Sequence, residues 1–234
     1  MNKASMISIF LRSLTIQLSF NFRNAQGLGF AFSMLPLRRS EDFVVKHLRL
    51  FNTNPYLAPA IAGSVIRIEE KGDGAAKADD VKSALMGPYA AIGDSFFWGA
   101  LRLFSSAFAV LPALCGIILA PLAFMLIFFP AQLLVRINGF IKGYERGKDG
   151  FNYLRDLDLP RVSSRLHYAS LFMIGILTIL ALNVNRECGN PLQLPFPWLF
   201  GVLVFLFSFL ATLRRISTEK IIYGVALLCM VVSY

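Results

Sequence analysis

Between Arg102 and Arg136 the chain carries no charged side chain over 33 consecutive positions. As a single helix rising 1.5 Å per residue that run would reach about 50 Å, whereas the hydrocarbon core of a bilayer is about 30 Å thick. It is too long for one span and too apolar to lie in water. The run must therefore be divided, and Pro112, Pro121 and Pro130 offer the places, because proline removes a backbone donor and clashes with the preceding turn. The division predicts that one element ends near residues 110–114 and that a full spanning helix covers residues 116–135.

The remaining composition agrees with a membrane environment. Of the 234 residues, 56% are hydrophobic and 16% charged, with a mean hydropathy of +0.60, against roughly a quarter charged in a soluble domain. The net charge of +9 is spread over segments between apolar runs, without a basic patch interleaved with aromatics. Membrane topology explains that pattern and nucleic-acid binding does not. Cys115, Cys188 and Cys229 are far apart and form no CxxC, so neither a metal site nor a disulfide framework is indicated. No cofactor motif is present: Gly27-Leu28-Gly29 lacks the preceding strand and third glycine of a dinucleotide site. A membrane-embedded enzyme finds no nucleophile–base pair to support it.

Upstream, residues 6–20 place Ile7, Phe10, Leu11, Leu14 and Leu18 at helical spacing with Arg12 in the middle. That pattern describes an amphipathic helix lying in the membrane interface and not the unbroken apolar core of a signal peptide. Residues 41–50 read as a helix with Phe43, Val44, His47, Leu48 and the following Phe51 on one face; His47 has no visible partner and reads as a packing residue. The stretch Phe51-Asn52-Thr53-Asn54-Pro55-Tyr56-Leu57-Ala58-Pro59 then opens a helix over 61–71. Its amides and hydroxyl are either a cap and a turn or a polar cluster facing a solute.

Residues 85–99 are apolar but carry one carboxylate, Asp94, beside Ser95 and among Gly87, Pro88 and Gly93. A lone acid at membrane depth costs at least a few kcal/mol unless it faces protein or a watery cavity. Irregular backbone there is tolerated under the same condition. The stretch is read as a re-entrant or broken element lining a polar site; the alternative is a glycine-rich interfacial helix with Asp94 at a break.

Loop charge sets the expected topology. Residues 136–165 hold seven Lys/Arg against four acids, the first 50 residues hold seven against two, and 214–220 are also basic, whereas 185–195 are not. The positive-inside rule assigns the first three, and with them the N-terminus, to the cytoplasm. The fold expected is an all-α, multi-pass protein of the cell inner membrane, with N-terminal amphipathic or re-entrant helices followed by about four transmembrane helices. Candidate spans are 116–135, 168–184, 196–213 and 221–234. The corresponding regions are an interfacial and cytoplasm-facing part (1–83), a broken element with the first full span (84–135), a basic cytoplasmic loop (136–165) and a C-terminal set of spans (166–234).

Three segments together, Gln26-Gly27-Leu28-Gly29-Phe30, residues 51–59, and residues 82–102 with Gly93-Asp94-Ser95 at their centre, resemble the IID component of mannose/fructose/sorbose-type sugar phosphotransferase systems. The resemblance covers residues 15–145 in order and spacing and rests on hydropathy beyond about residue 150. It implies a membrane subunit that pairs with a IIC subunit to form a hexose pathway, in oligomers of IIC–IID pairs. The phosphoryl group would come through cytoplasmic IIA and IIB proteins, so the chain itself would be a non-phosphorylated, cofactor-free transport subunit; neither His47 nor His167 lies in a phosphohistidine-like setting. The chain departs from the family at Asn21-Phe22-Arg23-Asn24-Ala25, where Asn-Tyr-Glu-Arg-Met is usual, and in a shorter region over 150–195.

On this reading Gln26, Asn52, Thr53, Asn54, Asp94 and Ser95 are the candidates for touching solute or lining the path, because sugars are held by hydrogen bonds from amides and carboxylates; the alternative is structural, with Asn54 as a cap and Gln26 and Asp94 as hydrogen-bond partners that pin two elements together. Tyr56 and Trp98, with Phe97 beside them, are candidates for stacking on a sugar ring. Glu69, Glu70 and Lys82 are expected near the cytoplasmic loop, either as a solvated charge run or as a contact for the IIB protein. The competing function is a non-transporting scaffold that docks phosphotransfer proteins on the basic segment 136–165.

Overall fold

The computed structural model describes residues 3–37, 41–72 and 75–187, together with Val202, Leu206, Phe207, Leu210, Arg214 and Gly224. The chain divides into two compact units, Met1–Met173 and Ile174–Tyr234. The elements are helical: α1 (Lys3–Ser13), α2 (Gly27–Met34), α3 (Glu41–His47), α4 (Ala58–Lys71), α5 (Ala75–Gly93), α6 (Arg102–Leu114), α7 (Ala120–Arg146), α8 (Phe151–Asp156) and α9 (Leu159–Glu187). No strand occurs among the described residues; two isolated bridges tie Ala25 to Asn21 and to Phe51.

The first unit is built around α4. Every residue from Ala58 to Ile66 is buried, which is possible because five of them, Ala58, Ala60, Ala62, Gly63 and Ser64, are small. Their backbone can then approach α7 directly, the usual device of helix pairs in membranes. A β-carbon at Gly63 would collide with the Phe140 carbonyl, and one at Gly143 with the Ala60 carbonyl. α4 is too short to cross a bilayer and is wrapped instead by α1, α2, α5 and α7.

The Gln26-Gly27-Leu28-Gly29 stretch is a docking point. The Gln26 side chain donates to the Thr53 carbonyl at 2.8 Å and accepts from the Thr53 N–H at 3.0 Å, so it pairs with the backbone as a strand neighbour would. A β-carbon at Gly27 would lie 2.5 Å from the Arg49 carbonyl oxygen, and Gly29 abuts the Ile16 carbonyl. These two glycines let α2 lie against the segments on either side of it.

α5 and α6 form one continuous rod with a π-helical segment, Asp94–Leu101, between them. Pro88 and Pro112 lie inside helices, so the rod does not break where the prolines suggested. Nor is Gly93 a break: Asn54 packs so closely on it that no β-carbon fits. The irregularity is the π segment, which begins at the carboxylate. In place of either a broken element or a plain interfacial helix, the chain has an intact helix with a widened stretch.

α6 and α7 make a hairpin. Its turn, residues 115–119, contains Gly116 at a φ of +75°, a conformation that suits a residue without a β-carbon. Pro121 falls in the first turn of α7, where no N–H is needed, and Pro130 lies inside the helix. The second arm does not stop at residue 135 but runs on to Arg146. Its outer surface is apolar: Ile118, Leu119, Leu126, Phe129 and Leu134 are each at least half exposed, a surface of the kind that meets lipid or another subunit.

By length and apolarity two helical stretches can cross a membrane, Lys77–Leu114 (38 residues) and Ala120–Arg146 (27 residues). The expected span at 168–184 falls within α9. Those at 196–213 and 221–234 lie outside the described residues but for five isolated positions, and the count of about four is not reached among the described residues.

Candidate functional site

Asn54 joins the second and third motifs of the sequence. Its carbonyl accepts the N–H groups of Leu57 and Ala58, both at 3.0 Å, which turns the chain into α4. Its side-chain oxygen accepts the Tyr56 N–H at 3.0 Å, closing a local turn. That leaves the amide nitrogen to point outward, and it donates to the Asp94 carboxylate at 2.8 Å. The residue is 1% exposed. A position read as a helix cap thus serves as a turn and as a tether between α4 and the π segment.

The π segment explains why the tether lands there. Bonds from i to i+5 widen the helix, expose backbone carbonyls and are frequent at functional sites. Asp94 is its first residue and lies at the surface, next to exposed Ser95. The Ser163 hydroxyl of α9 reaches the Ser95 carbonyl at 3.4 Å, and the His167 Nδ1 lies 2.9 Å from the Ser163 carbonyl with its ring beside Gly99. Neither α9 residue carried a sequence signal for this role.

An aromatic platform adjoins the pair. The Tyr56 ring lies 4.6 Å from Phe97, 5.4 Å from Trp98 and 5.9 Å from Phe128, centroid to centroid. Phe97 is fully buried and Trp98 is 37% exposed, so Trp98 presents a face and Phe97 supports it. Two cations flank the platform: the Arg136 guanidinium stands 4.7 Å from the Tyr56 ring centre and that of Arg102 5.2 Å from Trp98. These arginines bound the charge-free run, and the hairpin returns both to the same aromatic pair. Sequence reading used them only as boundaries; the signal available was a charge at each end of a run that has to fold back.

The other candidates divide. Gln26 is 2% exposed, and its amide is taken up by Thr53 and by Gln17 Oε1 at 2.6 Å; it is a strut, not a lining residue. Thr53 is 3% exposed, and its hydroxyl oxygen is buried without a hydrogen-bond partner. Asn52 is exposed. Of the residues expected at the IIB protein, Lys82 is only 1% exposed and pairs with Asp79 at 3.1 Å. Glu69 pairs with Lys46 at 2.6 Å, and the Tyr144 hydroxyl donates to Glu70.

His47 is a packing residue. It is 1% exposed between the rings of Phe43 and Phe30, at 4.6 and 5.7 Å, and neither ring nitrogen has a hydrogen-bond partner. Burial, reinforced by the nearby Lys82 and Lys46 ammonium groups, pulls its pKa down to about 3. No group of three or more His, Cys, Asp or Glu that could hold a metal occurs among the described residues.

Comparison with known proteins gives this arrangement its context. The family described as "PTS system mannose/fructose/sorbose family IID component" matches residues 1–234. The mannose-specific EIID component of Escherichia coli K12 is 34% identical over 191 residues, 76% of this chain and 68% of that one. The sorbose-specific EIID component of Klebsiella pneumoniae is 33% identical (78% and 72% covered), and the fructose permease IID component of Bacillus subtilis 30% (76% and 69%). A chain from the cryo-electron microscopy structure of the mannose transporter ManYZ with microcin E492 superposes with a TM-score of 0.59 at 26% identity, over 99% of this chain and 96% of that one. A second solved membrane protein gives 0.69 at 25% identity, over 98% and 96%. The three motifs that Gln26, Asn54 and Asp94 hold together are thus set in a chain that belongs to the IID components of the mannose/fructose/sorbose phosphotransferase family, membrane permease subunits of a sugar transport system.

Proposed function

We propose that this chain pairs with a IIC subunit in the inner membrane to form a hexose pathway, with uptake coupled to phosphorylation by cytoplasmic IIA and IIB proteins. The observation that carries the reading is the 2.8 Å contact between Asn54 and Asp94. It brings two distant polar motifs together beside an aromatic platform, at the start of a π-helical segment. Sugars are recognised by such a combination, since a hydroxyl needs a placed donor or acceptor and a ring face needs an aromatic surface. The relatives named for mannose, sorbose and fructose support a hexose as the solute. The N-terminus is assigned to the cytoplasm on the seven basic residues of the first 50.

Asp94 and Trp98 are the residues proposed to lie along the path, with Ser95 and Tyr56 beside them, and the buried Asn54 holds Asp94 from behind. Gln26 and Thr53 act behind them by holding the segment that carries Asn54. The test is uptake of labelled hexose in a strain lacking the gene but keeping IIA, IIB and IIC. The native chain should restore uptake, and Asp94→Ala, at an equal membrane level, should lower it about tenfold. Full uptake in the deletion strain would favour the scaffold reading. Native uptake by Asp94→Ala would remove this acid from the pathway.

A further inference from the structure

Arg136 lines an open groove of about 370 Å³ on α7 with Phe129, Pro130, Gln132 and Leu133. Its Nε is buried without a hydrogen-bond partner. No carboxylate among the described residues lies within ion-pair distance of Arg136 or of Arg102, and the Gln132 side chain, 7% exposed, makes no hydrogen bond among them. Leu133, on the rim, is 49% exposed.

Depth sharpens the problem. About 20 helical residues cross a 30 Å core. Counted from the turn at 115–119, that reaches back to about residue 95 and forward to about residue 139. For a hairpin that crosses fully, both arginines lie within the apolar layer, where a charge is stabilised only by a partner, a watery cavity or an escape to the interface. Arg136 is not escaping: it is stacked on Tyr56. Lipid tails offer it no acceptor. Trp98 and Arg102 are exposed and Tyr56 and Arg136 half-buried, and tryptophan, tyrosine and arginine grouped at one place are the residues that carry most binding energy at protein interfaces.

We infer that the face formed by Arg102, Arg136, Tyr56, Trp98, Gln132 and Leu133 is where the IIC subunit docks, and that IIC supplies a carboxylate to the two arginines. This rests on the pairing proposed above. A planar guanidinium takes a carboxylate in a fixed geometry, so the contact would set register as well as affinity.

The chain, tagged and co-expressed with the IIC subunit of its own organism, tests this by co-purification in mild detergent. The wild type should retain IIC. The double variant Arg102→Gln/Arg136→Gln should lose at least nine-tenths of it at an unchanged membrane level, with Arg102→Lys/Arg136→Lys recovering part. A double variant that retains IIC like the wild type overturns the face alone. A wild type that retains none overturns the pairing, and the face with it. Should the Gln variant not accumulate, a photoreactive phenylalanine analogue at Leu133 reads the same contact: an adduct with IIC is expected, and adducts with lipid only overturn the inference.

Discussion

Asn54 illustrates how one buried amide can be committed in every direction. Its oxygen is held by the Tyr56 N–H, its nitrogen by Asp94, and its β- and γ-carbons pack on Gly93. Asn54→Ala removes the tether, and at about 1.4 kcal/mol per tenfold a charge-assisted bond of this kind corresponds to roughly a tenfold loss of uptake. Asn54→Asp should be worse, because it sets two carboxylates face to face, and adding Asp94→Asn should recover most of that loss. Measured as a double-mutant cycle in uptake, independent additive losses would sink the pairing. His47 makes a second residue-scale prediction. Its folded pKa of about 3 lies below the ordinary 6.5, so the unfolded chain binds the proton first. The stability it contributes is fully present above pH 6.5 and declines as pH falls toward 3. Thermal unfolding in detergent should move to lower temperature between pH 7 and pH 5, above the range where most carboxylates titrate, and His47→Phe should flatten that slope. The packing role of His47 was legible from its place on an apolar face. The contact was not: that Asn54 and Asp94 both matter was readable as two motifs, but a separation of 40 positions hid that they touch each other.

Elements were legible to the degree that local chemistry decides them. The start of α4 just after Asn54-Pro55 and the hairpin dictated by the charge-free run follow from spacing and from the thickness of a bilayer, whereas the N-terminal helix expected over 6–20 ends at Ser13 and gives way to a short 3-10 turn at Ile16–Ser19. Proline was a mixed guide: α6 ends at Leu114, within the 110–114 expected from Pro112, whereas Pro88 and Pro130 lie inside helices and cost one hydrogen bond each while the helices around them are held elsewhere. The π segment left no signal of its own in composition; it is recognised only once Asn54 is found packed against Gly93. Gly93 was read as a breaker where its use is proximity to Asn54, and two glycines with no sequence signal serve the same end. At the crossing of α4 and α7, Gly143 admits the Ala60 carbonyl and Gly63 admits that of Phe140. Gly143→Leu should therefore force the helices apart, costing about 1–3 kcal/mol or more, and should lower the melting temperature and the membrane level of the protein. Gly87→Leu, on the open side of α5 with nothing within 4 Å of a built β-carbon, should leave both unchanged. Equal effects of the two would mean that α4 and α7 do not cross as closely as described.

At the scale of the whole molecule the decisive question is where the hairpin tip ends up, because it fixes the depth of everything on the platform. With the basic N-terminal region in the cytoplasm, a rod that crosses fully carries the turn at 115–119 to the outer face. A re-entrant hairpin would leave it inside the bilayer. The arms favour crossing: Lys77–Leu114 and Ala120–Arg146 both exceed the roughly 20 residues a span needs, and the tip and arms are coated with exposed apolar side chains. Nature has supplied a probe, since Cys115 sits in that turn and is exposed. In a Cys188→Ser/Cys229→Ser background, a charged maleimide that cannot cross the inner membrane should modify Cys115 in spheroplasts, with little further labelling after permeabilisation. Labelling confined to inside-out vesicles would invert the topology. Protection from both sides, lifted only by detergent, would establish a re-entrant hairpin, and the carboxylate proposed for Arg102 and Arg136 would then have to be sought near the cytoplasmic surface of the partner.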